Sequence, residues 1–156
     1  YRMADVYLLR AEALIEIANN KTDEDEKKEY LNDAIYMINK TFMRANDTRI
    51  ATDTLELRDY PNVDLMRDLV LDERQREFMF EGKRWFDLVR ISRRDGENTR
   101  LINKVLPKFQ ENTSAIRIKL STQDVLYWPY NRDELKQNPL LIQNPAYVTD
   151  NTEQNF

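Results

Sequence analysis

Apolar residues recur at three- and four-residue spacing through most of the chain, the period of an amphipathic helix. A first helix is expected over residues 3–19, with Met3, Val6, Tyr7, Leu14 and Ile17 on one face and Ala4, Ala11, Ala13 and Ala18 allowing close packing. A polar, mixed-charge link follows over residues 19–28. The second helix is expected over residues 27–46, where Leu31, Ala34, Ile35, Ile38, Phe42 and Ala45 form an apolar stripe. Two amphipathic helices on a short polar link should fold back as an antiparallel hairpin.

Residues 47–63 read as a connector containing Tyr60-Pro61. Asp64 is a candidate N-cap with Leu65 opening a third helix that runs to about Glu81. Gly82 then supplies a C-cap or a kink. A fourth helix runs from Arg84 to about Ile91 and is stopped by Arg93-Arg-Asp-Gly96. In this region charge and aromatics are densely interleaved. Leu69, Phe80 and Trp85 are expected to be buried, and Glu73, Arg76, Glu77 and Arg84 travel with them. Cores admit charges when these are paired, so an internal ion-pair network is expected.

Residues 98–111 form another helix or irregular structure, interrupted by Pro107. Ile116-Arg-Ile-Lys-Leu120 alternates and reads as a short strand or extended segment, and residues 123–126 as a helical turn. From Trp128 onward Pro129, Pro139 and Pro145 bias their preceding residues away from helix. An extended arm results, expected to be pinned to the helices by Tyr127, Trp128, Tyr130 and Tyr147. Residues after Val148 read as a frayed terminus. The expected class is mainly α, with tetratricopeptide-like helical hairpins and an extended, proline-containing C-terminal arm.

Composition narrows the chemistry. The 156 residues suffice for one domain with a core, and 41% hydrophobic with 33% charged residues is a globular balance. A net charge of −4, with Lys and Arg scattered among acids, leaves no basic face for nucleic acid. There is no cysteine and no histidine, which removes thiolate chemistry, the commonest zinc ligand and Ser-His-Asp or Cys-His nucleophile arrangements. Two glycines, Gly82 and Gly96, cannot make a glycine-rich phosphate loop. No apolar run approaches the ~20 residues that span a bilayer. The chain opens at Tyr1 in a helical pattern, without an initiator methionine or signal sequence, and is expected to be a piece of a longer protein.

Three constellations carry possible chemistry. Glu73, Glu77 and Glu81 lie four apart and would share a helix face, as metal ligands or as acid and base. The alternative is that they neutralise Arg74, Arg76, Lys83 and Arg84, and the missing Glu-x-x-His pair favours it. Tyr127-Trp-Pro-Tyr130 offers rings on which a sugar's apolar face could stack, making Trp128 and Tyr130 the candidate ligand-binding residues; the alternative is that they pin the arm. The helical hairpin would also suit a protein–protein interaction module. A carboxylate-only hydrolase needs two carboxyls across a cleft, and no such pair is identifiable. No cofactor or metal is expected.

Three ordered segments together resemble the C-terminal region of the SusD/RagB family of outer-membrane nutrient-binding lipoproteins of the Bacteroidetes. Tyr1-Arg-Met-Ala-Asp-Val-Tyr-Leu-Leu-Arg-Ala-Glu-Ala13 is similar to that family's helix ending in Ala-Glu-Ala. Glu73-Arg-Gln-Arg-Glu-Phe-Met-Phe-Glu-Gly-Lys-Arg-Trp-Phe-Asp-Leu-Val-Arg90 resembles its Glu-Arg…Glu…Glu-Gly-x-Arg-x-x-Asp-Leu-x-Arg signature. The stretch from Trp128 to Tyr147 resembles its Pro-Ile-Pro…Glu-Leu…Asn-Pro…Gln-Asn-Pro-Gly-Tyr close, and Thr41-Phe-Met-Arg-Ala-Asn46 a helix end of the family. Tyr130-Asn131 stands for the usual Ile-Pro, and Ala146 for the usual glycine, which asks whether residue 146 needs a positive φ.

The resemblance implies a helical scaffold without catalysis and a lipid anchor upstream of Tyr1 at the outer face of the outer membrane. It also implies a SusC-like TonB-dependent transporter as partner and a glycan, or sometimes a peptide, as ligand. It carries over no ligand-binding residue. Glu73, Arg74, Glu77, Glu81, Gly82, Arg84, Asp87 and Arg90 match as a structural signature.

Overall fold

The computed structural model describes residues 2–46 and 54–148. Among these residues lie seven α-helices and four short 3₁₀ turns, with no β-strand. The chain divides into two compact units, Tyr1–Arg84 and Trp85–Phe156.

The first unit holds α1 (Met3–Asn19), α2 (Glu24–Ala45) and α3 (Val63–Glu77). The link between α1 and α2 is shorter than the polar stretch suggested, because Asp23 caps α2 early: its Oδ1 accepts from the N–H groups of Asp25 and Glu26 at 3.0 and 2.9 Å. Glu24, Asp25 and Glu26 then meet the positive end of the helix dipole. The two helices fold back on each other, and α3 packs against both.

The buried face of α1 is Ala4, Leu8, Ala11, Ile15 and Ala18. Met3, Val6 and Ile17, expected inside, are exposed, and Tyr7 and Leu14 are only partly buried. Spacing explains the reversal: Ala4, Leu8, Ala11, Ile15 and Ala18 recur at four and three residues and make one continuous stripe, which leaves Met3, Val6 and Ile17, and also Ala13, outside it. On α2 the expected stripe holds at Leu31, Ala34, Ile35 and Ile38 and fades at its end, where Phe42 is half-buried and Ala45 exposed.

The connector before α3 includes residues 47–53, which lie outside the described residues. Its later part makes a 3₁₀ turn over Leu57–Asp59. Asn39 of α2 holds this part by both faces of its amide: Oδ1 accepts from the N–H of Leu55 at 3.0 Å and Nδ2 donates to its carbonyl at 2.9 Å. The cap of α3 is Asn62 rather than Asp64, with Oδ1 accepting from Leu65 N–H at 2.9 Å. Starting there places Val63 in the core.

α3 ends at Glu77, a turn earlier than the expected Glu81. Phe78 leaves the helix and is buried, whereas Phe80 is 99% exposed at a φ of 66°. Leu69 is buried as expected, but Trp85 is 38% exposed. The core takes Phe78 because the chain reverses immediately after it, with Glu81 N–H bonded back to the Phe78 carbonyl at 3.0 Å. Gly82, at a φ of 72°, completes the reversal.

The second unit begins along α4 (Arg84–Asp95), which extends past the expected Ile91 to Gly96, whose φ is 74°. Then follow α5 (Thr99–Val105), a 3₁₀ turn over Leu106–Lys108 that contains Pro107, α6 (Thr113–Lys119) and α7 (Arg132–Gln137). Leu88, Ile91, Leu101, Ile102, Leu106 and Leu126 supply its buried apolar residues. The buried Asn98 amide donates to the carbonyls of Leu120 and Thr122, both at 2.8 Å.

The segment expected as a strand is helix α6. Its alternation was misleading: Ile116 and Leu120, four apart, are half-buried together, while Ile118 between them is 73% exposed. The closing arm is less extended than expected, since α7 and 3₁₀ turns over Asp124–Leu126 and Pro145–Tyr147 interrupt it. Ala146 lies within the last turn and is not among the residues of positive φ, so alanine is unstrained there. The expected fraying beyond Val148 lies outside the described residues.

Gly82→Ala tests the reversal directly. A Cβ there meets nothing within 4 Å, so the penalty is backbone strain alone. Urea unfolding is expected to show a loss of about 1–2 kcal/mol. No loss would mean that the positive φ is not required.

Candidate functional site

Two features stand out once the side chains are placed, one in each unit. The first is an ionic cage around Phe78. Arg2, Arg74 and Lys83 each lie over its ring, at 5.2, 5.0 and 4.2 Å from the centroid. The negative face of an aromatic ring attracts cations, more strongly where water is excluded. Carboxylates close the cage. Asp5 of α1 is buried and pairs with Arg74 at 3.3 Å and with Lys83. Glu77 pairs with Arg2 at 3.0 Å and with Arg44 at the end of α2. Glu81 pairs with Arg2 and, at 3.2 Å, with Lys83. Arg2 also donates to the Glu77 carbonyl at 3.1 Å.

Sequence reasoning expected charge pairing here but missed Arg2, Asp5, Arg44 and the role of Phe78. One signal was available. Asp5 lies three residues before Leu8 on the face that α1 buries, where a carboxylate needs a partner. Of the signature residues, Glu73 is buried and bonded by Arg76 at 2.7 and 2.9 Å. Arg84 donates to the Leu71 carbonyl at 2.7 Å and lies 3.7 Å from Asp72. Asp87 and Arg90 pair at 3.3 Å within α4. Glu73, Glu77 and Glu81 thus do not share one face: Glu81 lies past the helix end, and each carboxylate faces cations. Among the described residues no group of three His, Cys, Asp or Glu is placed to hold a metal ion. A second clamp joins α3 to α1, where Arg67 makes two bonds to Glu16 at 2.6 and 2.8 Å.

The cage sets the charge states of its members. Burial pushes the Asp5 carboxyl up, but hydrogen bonding and charge from Lys83 together with the charge of Arg74 outweigh it and hold it below its ordinary 3.8. Glu81 is lowered in the same way, burial being overcome by Lys83 and Arg2. The hydrogen bond to Asp5 raises the Lys83 ammonium above its ordinary value, against a smaller opposing effect of burial.

The second feature is the aromatic edge of the closing arm. Trp128 is 86% exposed and Tyr130 51%, with Pro129 between them. Tyr127 and Tyr147 are also exposed, so the four rings do not pin the arm to a core as expected. Polar side chains, Gln143 and Asn144, fix this stretch in place of the rings. Leu140 and Ile142 are likewise exposed. A bare indole beside a tyrosine is suited to stacking on an apolar ligand face.

Comparison with known proteins decides the family. The model of the SusD family matches residues 1–147, through both units. The chain belongs to the SusD family. The family is one of non-catalytic binding proteins. The SusD-like protein P38 of Formosa agariphila is 28% identical over 148 residues, covering 94% of this chain and 24% of that protein. The chain therefore spans about a quarter of the length of this relative. No solved structure matches.

The cage predicts an order of mutational cost. Asp5→Ala leaves buried Arg74 without this carboxylate and is expected to lose about 3–5 kcal/mol in chemical denaturation. Glu77→Ala is expected to lose less, about 1–3 kcal/mol, because Arg2 and Arg44 reach water. Equal stability of Glu77→Ala and the parent would refute a stabilising cage. The pH profile has a defined sign. Asp5 and Glu81 are lowered on folding, so their contribution is present above the unfolded carboxyl range and lost as pH falls through the folded values. Lys83 is raised, so its contribution is present below about pH 10 and lost as pH rises through the folded value. Thermal midpoints should be highest between about pH 5 and 10, and Asp5→Asn should flatten the acid limb.

Proposed function

We propose that this protein is a surface nutrient-binding lipoprotein that captures an oligosaccharide and delivers it to a SusC-like TonB-dependent transporter. The match to the SusD family over residues 1–147 carries this reading. On it, the protein is held at the outer face of the outer membrane by a lipid anchor upstream of Tyr1. The first unit is scaffold: the charged residues around Phe78 are engaged with one another. Ligand contact belongs to exposed aromatic surface, for which Trp128 and Tyr130 are the best candidates. A sugar ring presents axial C–H groups as an apolar face, and an exposed indole supplies the flat partner. Among the described residues no helix is long and apolar enough to cross a membrane.

The test uses the whole protein. It is titrated calorimetrically with laminarihexaose, xylohexaose and maltohexaose, and recovered from detergent-solubilised outer membranes by affinity tag. Binding of at least one oligosaccharide is expected, with an identified SusC-like transporter in the recovered complex. Trp128→Ala should weaken the bound oligosaccharide by about tenfold, near 1.4 kcal/mol. Binding of peptides in place of every oligosaccharide would change the ligand class. Recovery without any TonB-dependent transporter would overturn the delivery role.

A further inference from the structure

The closing arm is fixed by side-chain amides where another protein would use a strand ladder. Gln143 Oε1 accepts from the backbone N–H of Tyr130 at 3.0 Å, and its Nε2 donates to the Tyr130 carbonyl at 3.1 Å. One side chain thus reproduces the reciprocal pair of bonds that two residues exchange across an antiparallel ladder. The same Oε1 accepts the Asn144 N–H at 2.8 Å. That pattern fixes the amide's orientation, since only the oxygen can serve two N–H donors and only the NH₂ can serve a carbonyl.

Asn144 works on the other side. Its Nδ2 donates to the carbonyls of Asp124 and Tyr127 at 2.7 and 3.1 Å, and its Oδ1 accepts from Ala146 N–H at 3.0 Å. Adjacent amides therefore hold Tyr127 at one end of a short stretch and Tyr130 at the other. Between them stand Trp128 and Pro129. Proline has a locked φ and no N–H to satisfy, so the stretch has little freedom left. The result is a fixed backbone carrying an indole that remains 86% exposed. A hydrophobic side chain carried into water on a fixed backbone gains nothing for its own fold. It does lower the ordering cost of anything that later stacks on it.

Asn39 grips Leu55 with the same two-way amide geometry, at 3.0 and 2.9 Å. There the held residue is partly buried against the core of the first unit, so the grip serves packing. Around Gln143 the held residues are exposed, so the same grip serves presentation.

We propose that Gln143 is a positioning residue. Its amide clasps Tyr130 and, with Asn144 bracketing Tyr127, sets the Trp128-Pro129-Tyr130 edge in the conformation that receives a sugar face. The ligand half of this statement rests on the binding reading above; the clasp rests on the hydrogen bonds alone. Gln143→Ala removes both bonds to Tyr130. Gln143→Glu is nearly isosteric, keeps the acceptor and sets a carboxylate against the Tyr130 carbonyl in place of the donor.

The experiment is hydrogen exchange at the Tyr130 amide of the whole protein, with time-resolved anisotropy of Trp128 in a background where every other tryptophan is replaced by phenylalanine. Titration with laminarihexaose, xylohexaose and maltohexaose accompanies it. In Gln143→Ala, Tyr130 exchange should rise about tenfold and Trp128 should gain a fast rotational component. Oligosaccharide affinity should fall about fivefold or more while the thermal midpoint moves by no more than about 2 °C. Gln143→Glu should show the same added Trp128 motion, which loss of bulk alone would not produce. Unchanged Tyr130 exchange in Gln143→Ala overturns the clasp. Freed exchange with unchanged Trp128 motion overturns positioning. If no oligosaccharide binds the parent, the binding reading fails; if oligosaccharides bind Trp128→Ala as well as the parent, the sugar-receiving edge is overturned; in both cases exchange and anisotropy still decide the clasp.

Discussion

The first unit depends on one constraint: a buried phenyl ring at a helix end must be shared by three cations whose charges must in turn be neutralised. Phe78 meets Arg2, Arg74 and Lys83, and Asp5, Glu77 and Glu81 answer those charges. Each partner comes from a different place. Arg2 precedes α1, Asp5 lies in its first turn, Arg44 ends α2, Arg74 and Glu77 end α3, and Glu81 and Lys83 flank Gly82. The ends of all three helices are therefore tied at one point. Such a network adds less net stability than its contacts suggest, because each charge has lost water. What it adds is specificity, since any other register leaves a charge unanswered.

The cage also explains why the chain turns where it does. Phe78, four residues after buried Arg74, lies on the buried face of α3, but if α3 continued to Glu81, Glu81 would be carried away along the helix. Ending at Glu77 returns Glu81 to Arg2 and Lys83 to Asp5. The left-handed residues Phe80 and Gly82 absorb that reversal. A bulky residue at Phe80 bears a strain of about 1–2 kcal/mol that the neighbouring ion pairs offset.

The second unit solves a different problem. With short helices and several prolines it has few ladder hydrogen bonds available, so amide side chains take over. Asn98 satisfies two carbonyls after α6, Gln123 donates to the Ser92 carbonyl, and Gln143 and Asn144 hold the aromatic edge. Polar anchoring frees Trp128 and Tyr130 from packing.

Much was legible in the sequence because helix formation is a local matter. The span of α1, the α2 stripe, the breaks at Gly82 and Gly96, and a mainly helical class all follow from periodicity and from residues with special φ. The family resemblance was legible as well, since ordered motifs survive where single residues do not. What failed depended on partners distant in sequence. The buried face of α1 is Ala4, Leu8, Ala11, Ile15 and Ala18 rather than the face of Met3, Val6 and Ile17, because that is the side on which α2 and α3 pack. Phe78 rather than Phe80 was buried because cations from residues 2, 74 and 83 converge on it. Ile116 to Leu120 became helical because burial at four-residue spacing outweighed a two-residue alternation. Local pattern set which segments are helices and where they can stop; tertiary structure chose which side of each is buried, because burial is decided by what stands opposite.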